Sequence, residues 1–250
     1  MPDITLRNNR FHYSLTGEGT PVALIHGHNR NSDDLLRIAQ DLARDHRVLL
    51  PDLRFHGRSD ASDLTGVTTP VRSHATIADM EQDMHALIEA VGMQQPVLLG
   101  HSLGGMIVMD YWRQYAGQAR ALVLDDCFPD FAAGMQIFDL FAPTVDPDFK
   151  ARVQAVSDAS AATGRVPDSL WDSIVAFNAR AWLPAINVPV LALFGDRGWI
   201  RGEQVGGVLD AIGTSLIPDV HVEWFADCGH FIALEQPERY IGLVREFLDL

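Results

Sequence analysis

Hydrophobic residues along the chain form short, nearly continuous runs that alternate with segments of helical periodicity. Six such runs, at residues 22–25, 48–50, 97–99, 121–124, 190–194 and 221–225, have the length and composition of buried strands. Strands that are apolar on both faces are typical of parallel sheets that helices cover on each side. The pattern therefore predicts an α/β fold with a mostly parallel central sheet and helices on both faces.

Four segments between and after these runs carry the periodicity and the end signals of helices. Residues 32–43 begin with polar residues and continue with an apolar stripe, and Thr76 is a predicted N-cap for a helix that ends at Gly92. A third helix is predicted from about residue 104 to residue 115. A fourth is predicted over 237–248, with Pro237 in its first turn.

The alternation of strand-like apolar runs with helical segments stops between residues 127 and 187. This stretch is too long for a structureless loop, so we predict a helical cap insertion, 127–187, in a core that consists of 1–126 and 188–250. Its aromatic residues could line an apolar substrate pocket of modest size, or they could bury the insertion against the core. The pocket candidates are Phe128, Phe131, Met135, Phe138, Trp171 and Trp182, with Trp199 near the end of the next strand.

The most specific motif is G-H-S-L-G at residues 100–104, which follows an apolar run directly and precedes a predicted helix. This strand, turn and helix context is the one in which G-x-S-x-G forms a nucleophile elbow. The tight turn would lift the Ser102 hydroxyl above the sheet, and the backbone N–H of Leu103 would be one donor of an oxyanion hole. Ser102 is therefore the predicted nucleophile.

A serine hydroxyl needs a general base, and the base needs an orienting acid. His230 is the candidate base, because it follows the run 221–225 and therefore lies at the carboxyl end of a strand, where sites in open α/β sheets gather. Two aspartates fit the chain order serine, acid, histidine. They are Asp126, after the strand at 121–124, and Asp196, after the strand at 190–194, and the residues alone leave the choice open.

These motifs resemble those of the α/β-hydrolase fold superfamily, over nearly the whole chain. The matching segments are H-G at 26–27, D-L-R-F-H-G-R-S at 52–59, the elbow at 100–104 and G-H at 229–230. A subset of that family is expected to carry the acid after the earlier strand, which implies Asp126 rather than Asp196 or Asp125. The resemblance also implies that the backbone N–H of His28 is the second oxyanion donor, and that the segment 52–59 is structural.

The implied activity is that of a serine esterase or lactonase that works through an acyl-enzyme on Ser102. The apolar pocket candidates favour a small or aromatic, largely neutral ester as its substrate. Related enzymes that use an aspartate nucleophile are not expected, because a serine occupies that position. A second interpretation is a cofactor-independent 2,4-dioxygenase of 3-hydroxy-4(1H)-quinolones, which would use His230 and Asp126 as the base. A third is a ligand receptor on a hydrolase scaffold.

Composition restricts the partners. The chain has 19 Lys and Arg against 33 Asp and Glu, a net charge of −14, so neither nucleic acid nor an anionic membrane surface is an expected partner. The chain starts with no signal-peptide pattern and contains no long apolar run, so we expect a cytoplasmic protein that acts on a small molecule. The two cysteines have no metal-ligand spacing, and no metal or cofactor is expected.

Overall fold

Eight strands form one sheet in the computed structural model, which describes residues 2–59, 74–138, 147–162, 166–198 and 205–249. The strand order is β1-β2-β4-β3-β5-β6-β7-β8, and β3 to β8 pair in parallel, whereas β1 and β2 are antiparallel to their neighbours. The strands are β1 (Asp3–Leu6), β2 (Asn9–Thr16), β3 (Thr20–Ile25), β4 (His46–Pro51), β5 (Val97–His101), β6 (Ala121–Asp125), β7 (Val190–Gly195) and β8 (Val220–Phe225).

Helices cover both faces of this sheet because neighbouring strand residues point to opposite sides. On β5, Leu98 packs with α2 (Ile77–Ala90) and α3 (Leu103–Gln114), whereas Val97 and Leu99 pack with α1 (Leu36–Leu42) and α9 (Pro237–Leu248). All three strand residues are almost completely buried. The predicted α/β-hydrolase fold is confirmed, and burial on both faces explains why the central strands read as continuous apolar runs.

In the described residues between β6 and β7 there are three α-helices. They are α4 (Phe131–Gly134), α5 (Pro147–Ala162) and α6 (Asp168–Val175). A further helix, α7 (Val205–Ile212), lies between β7 and β8, and the short α8 (Ile232–Glu235) precedes α9. None of the helices in the described part of the chain has the length and apolar character needed to cross a membrane.

The sequence pattern did not predict β1, β2 or α7. The exposure of residues along β1 alternates, and β2 is only partly buried, because both strands lie at the antiparallel edge of the sheet and carry polar side chains. The predicted helix 32–43 is also shorter than expected. Its first turn is a 3₁₀ turn, Ser32–Leu35, which Asn31 caps by accepting the N–H of Asp33 at 2.9 Å, and α1 follows it.

Candidate active site

Ser102 occupies the sharp turn between β5 and α3. Its backbone angles, φ 52° and ψ −114°, lie in a region that residues other than glycine rarely adopt, and its N–H donates to the carbonyl of Asp125 at 2.9 Å. A Cβ on Gly100 would lie 2.2 Å from the backbone of Gly104, and a Cβ on Gly104 would lie 2.2 Å from the carbonyl of Ile25. The close approach of these backbones therefore requires both glycines of the motif.

His230 and Asp126 come together at the carboxyl ends of their strands. Nδ1 of His230 lies 2.6 Å from Oδ2 of Asp126, and both side chains are almost completely buried. The other carboxylate oxygen, Oδ1, accepts the N–H of Gly195 at 3.1 Å, which fixes the carboxylate on the end of β7. Asp126 itself has a φ of 43°, so a strained backbone turns its side chain towards His230.

Burial keeps His230 neutral. Desolvation, with a contribution from the positive charge of Arg30, lowers the pKa of His230 to about 3. The contact of Nδ1 with Asp126 leaves Nε2 as the ring atom available to the cavity. No hydrogen bond joins Ser102 Oγ to His230 within the described residues, and catalytic hydrogen bonds are often long in ligand-free structures.

The two alternative aspartates occupy other positions. Oδ1 of Asp196 accepts the N–H of Cys228 at 3.3 Å, in a turn at the end of β7. Oδ2 of Asp125 accepts the hydroxyl of Tyr240 at 3.0 Å on the opposite side of the strand end. Among the described residues, neither of these carboxylates is hydrogen-bonded to His230.

A cavity of about 250 Å³ opens above Ser102, and Asp126 and His230 also line it. Five of the predicted pocket residues contribute to its wall, namely Phe128, Phe131, Met135, Phe138 and Trp171. Trp182 does not line it: its ring packs 6.2 Å from that of Phe177 and lies under the guanidinium of Arg113, on the α3 side of the molecule. Trp199 lies outside the described residues.

The two predicted oxyanion donors both lie at the cavity. Leu103 is the first residue of α3, so its N–H has no partner within the helix and lies beside Ser102. His28 belongs to the loop after β3. Nε2 of His26, at the start of this loop, accepts the N–H of Leu53 at 3.0 Å, which holds the loop against the segment that follows β4. A Cβ on Gly27 would lie 2.9 Å from the His101 ring, so the loop approaches the elbow closely.

The imidazole of His28 forms part of the cavity wall. Its ring centroid lies 5.5 Å from that of Trp171 and 5.9 Å from that of His56. Burial lowers the pKa of His28 to about 4, so the ring is neutral near pH 7.

The segment 52–59 supports this loop. Oδ1 of Asp52 accepts the N–H of Ser32 at 2.8 Å, and Oδ2 accepts the N–H of Arg58 at 2.8 Å. The guanidinium of Arg54 forms a buried ion pair with Asp83 on α2. The Asp52 contact with Ser32 connects the 3₁₀ turn after the β3 loop to the segment after β4, and Arg54 connects that segment to α2. None of these residues lines the cavity.

The sequence did not predict the polar part of the cavity wall, called the polar wall below, which consists of Asn29, Arg30, Gln154 and Ser157. Arg30 is 4 % exposed, and its only signal in the sequence is Asp34, four residues later, with which it forms an ion pair. Gln154 and Ser157 belong to α5, whose polar composition gave no indication of a cavity. No group of three or more His, Cys, Asp or Glu within the described ranges could hold a metal ion.

Comparisons with known proteins identify the family to which this chain belongs. Residues 20–162, more than half of the chain, match the alpha/beta hydrolase fold family. The esterase YbfF of Escherichia coli K12 is 25 % identical over 252 aligned residues, which cover 92 % of this chain and 93 % of the relative. Lipase 3 of a Moraxella species is 25 % identical over 94 % of this chain and 79 % of its own length. The expected ester hydrolase class agrees with these names.

Solved structures show the same fold. An enzyme described as Est816, an N-acyl homoserine lactone degrading enzyme, aligns with a TM-score of 0.79 and 20 % identity over 98 % of this chain and 100 % of its own. A thermophilic esterase from Thermogutta terrifontis aligns with a TM-score of 0.77 and 22 % identity over 100 % of this chain and 98 % of its own. The family match, together with the elbow and the strand order, shows that this chain belongs to the alpha/beta hydrolase fold family.

Proposed function

We propose that the protein is a serine hydrolase that cleaves a small or aromatic, largely neutral carboxylic ester or lactone through an acyl-enzyme on Ser102. The observation that carries this proposal is the 2.6 Å contact of His230 with Asp126 at the wall of the cavity into which the elbow presents Ser102. The arrangement supplies a nucleophile, a neutral base and an acid that orients the base.

The proposed reaction has two acyl-transfer steps. Ser102 Oγ attacks the ester carbonyl while Nε2 of His230 accepts the hydroxyl proton, and the N–H groups of Leu103 and His28 stabilise the oxyanion. The C–O bond to the leaving group then breaks, and His230 returns the proton to the departing oxygen. Water attacks the acyl-enzyme with His230 as the base, which releases the acid and restores Ser102. Asp126 holds the imidazole in the required tautomer and stabilises the imidazolium.

The cavity supports a small or aromatic acyl group. Its volume of about 250 Å³ and its predominantly apolar wall favour an apolar acyl group, because burying that group removes apolar surface from water. The names of the relatives include both an esterase and a lactone-degrading enzyme, which supports an ester or lactone bond as the target.

We also propose that the segment 127–187 is a cap on a core of 1–126 and 188–250. Helices α4, α5 and α6 all belong to this segment, and each of them contributes residues to the cavity wall. The cap would exclude water from the oxyanion and set the size of the acyl group.

The first test measures release of p-nitrophenol from acetate and butyrate esters by the wild type and by Ser102→Ala, with Ser215→Ala, a change at an exposed serine far from the cavity, as the matched control. We expect Ser102→Ala to lose at least about 10³-fold in kcat while the control retains wild-type activity. A phosphonate ester inhibitor should add its mass to the wild type and to the control, and peptide mapping should locate it on Ser102.

If the wild type and Ser102→Ala release p-nitrophenol at the same rate, the proposal of an acyl-enzyme on Ser102 is wrong. Oxygen uptake with a 3-hydroxy-4(1H)-quinolone then becomes the assay, because His230 and Asp126 could deprotonate such a substrate without the serine.

A further inference from the structure

Arg30 lies at a junction of three parts of the active site. It follows the proposed oxyanion donor His28 by two residues and is 4 % exposed. Its guanidinium holds Asp34 with two hydrogen bonds, from Nε at 2.6 Å and from Nη2 at 2.7 Å. Because this two-point contact fixes the plane of the guanidinium, the direction of the remaining nitrogen, Nη1, is fixed as well.

Nη1 donates to the backbone carbonyl of Val153 at 2.7 Å. Val153 lies in the middle of α5, so a side chain from the loop after β3 is bonded directly to the main chain of a helix of the proposed cap. Gln154 and Ser157 of α5, one and four residues after Val153, line the cavity. This hydrogen bond therefore connects the loop after β3 to the helix that carries Gln154 and Ser157.

The same guanidinium also reaches the loop that carries the base. The carbon at its centre lies 5.2 Å from the ring centroid of Phe231, the residue after His230. Phe149 of α5 contacts the same ring, with centroids 6.5 Å apart, and Phe149 is four residues before Val153, on the same side of the helix. Phe231 is thus in contact with both Arg30 and α5.

We propose that Arg30 is a positioning residue that holds α5 against the loop after β3, which contains His28, and against the loop after β8, which contains His230. It thereby fixes the polar residues Gln154 and Ser157 relative to the reacting groups. This inference rests on the proposed hydrolase function. The residue acts through its neighbours, because Nε and Nη2 are both engaged by Asp34 and Nη1 is engaged by the carbonyl of Val153.

Two substitutions separate the effect of the positive charge of Arg30 from the effect of its hydrogen bonds to Asp34 and Val153. Arg30→Met removes the charge and every hydrogen bond while it keeps an unbranched side chain of similar length. Arg30→Lys keeps the charge, but a single ammonium group cannot hold Asp34 at two points and reach Val153 at once. Arg37→Met is the matched control, because Arg37 is an arginine of α1 whose side chain is 60 % exposed and pairs with Glu238 on the surface.

The first readout is amide hydrogen exchange, which needs no substrate. We expect exchange of peptides from α5 to accelerate at least about 10-fold in Arg30→Met and in Arg30→Lys, with exchange of α9 unchanged. Thermal unfolding confirms that each variant is folded. If Arg30→Met does not fold, Arg30→Lys carries this measurement alone. Unchanged exchange of α5 in a folded variant would overturn the proposal.

The second readout is the dependence of kcat/KM on pH. If Arg30 had a purely structural role, its substitution would not shift the acid limb of this pH profile. In the described part of the chain, the titratable and charged groups around His230 include Asp126, the ring of His101 at 4.7 Å and Arg30. Glu235 lies close by and accepts the N–H of Gly229, the residue before His230, at 3.0 Å. Removal of the positive charge makes the imidazolium easier to form. We therefore expect the acid limb to move up by about half a pH unit or more in Arg30→Met and to stay in place in Arg30→Lys.

Ester hydrolysis by the wild type tests the hydrolase function, whereas amide exchange of α5 and the pH profile of the Arg30 variants test the role of Arg30. Wild-type ester hydrolysis with an unmoved acid limb and unchanged exchange of α5 in Arg30→Met would overturn the role of Arg30 and leave the function standing. Loss of ester hydrolysis in the wild type would reject the function, and exchange of α5 would still decide whether Arg30 fastens the helix. A fall in kcat/KM of about 10-fold in both Arg30 variants, with Arg37→Met unchanged, supports both proposals.

Discussion

Nδ1 of His230 lies 2.6 Å from Oδ2 of Asp126, although 104 residues separate them in the chain. The parallel sheet brings them together, because β6 ends directly before Asp126, and β8 ends shortly before His230 at the same edge. Gly195 at the end of β7, the strand between them, donates its N–H to the other carboxylate oxygen at 3.1 Å. Three strand ends thus cooperate to orient one imidazole.

Asp126→Asn should lower kcat/KM for p-nitrophenyl butyrate by about 10³ to 10⁴-fold, because an amide in this position can stabilise the wrong tautomer of the imidazole. Asp196→Asn is the matched control, since Asp196 is exposed and caps a turn through the N–H of Cys228. We expect it to retain activity within about 2-fold. A large loss in Asp196→Asn with little effect in Asp126→Asn would move the acid to the later strand.

The dependence of activity on pH should reflect the burial of the base. Since burial lowers the pKa of His230 to about 3, the imidazole stays neutral, and able to accept a proton, well below the usual pKa of histidine. We expect the acid limb of kcat/KM to lie below about pH 5, measured with an ester that is stable over that range. An acid limb near pH 6.5 would mean that His230 is solvated in the working enzyme.

The central sheet and the elbow could be predicted from local signals in the sequence. Leu98 and its neighbours form an apolar run because both faces of β5 are covered, and the glycines at 100 and 104 are needed wherever the backbone turns this sharply. By contrast, β1 and β2 are edge strands with partly exposed residues, so their pattern resembles that of a loop. Choosing Asp126 over Asp196 required the family resemblance, because both residues follow a buried strand.

The cavity wall was predictable only in part, because aromatic residues of an insertion can face inwards or pack elsewhere. Phe138 lines the cavity, whereas Trp182 packs against Phe177 and Arg113, and nothing in the local sequence separates the two cases. The polar wall was not predictable, since the only local signal of Arg30 is its i,i+4 partner Asp34, whereas its contact with Val153 joins residues 123 positions apart. Such contacts depend on how the insertion packs, which a single sequence does not encode in any local pattern.

Phe138→Ala should change which acyl chains the enzyme accepts. The Phe138 ring lies 4.9 Å from that of Phe128 and 5.7 Å from that of His230, so it limits the space beside the base. Its removal should raise kcat/KM for hexanoate relative to acetate by about 10-fold, because longer chains gain apolar contact in the enlarged cavity. Trp182→Phe, a change at an aromatic residue outside the cavity, should leave this ratio unchanged. An unchanged ratio in Phe138→Ala would place the acyl group elsewhere.

The buried carboxyl group of Glu81 should make the stability of the native state depend on pH, independently of catalysis. This residue of α2 is 1 % exposed, and burial, followed by the nearby charge of Asp110, raises its pKa to about 7. The native state therefore binds this proton more tightly than the unfolded chain, in which the pKa is near 4.5. The contribution of Glu81 to stability is consequently greatest below pH 4.5 and is lost as the pH rises towards 7.

Glu81→Gln should remove this dependence, because the amide stays neutral and keeps a similar shape. We expect the variant to be more stable than the wild type at pH 8, by on the order of 1 kcal/mol, and to differ little from it at pH 4.5. Urea unfolding at the two pH values measures the difference, with Glu89→Gln, at an exposed position of the same helix, as the control. Equal gains at both pH values would show that the effect comes from packing, and a loss at pH 8 would show that the Glu81 carboxylate is stabilised by its neighbours.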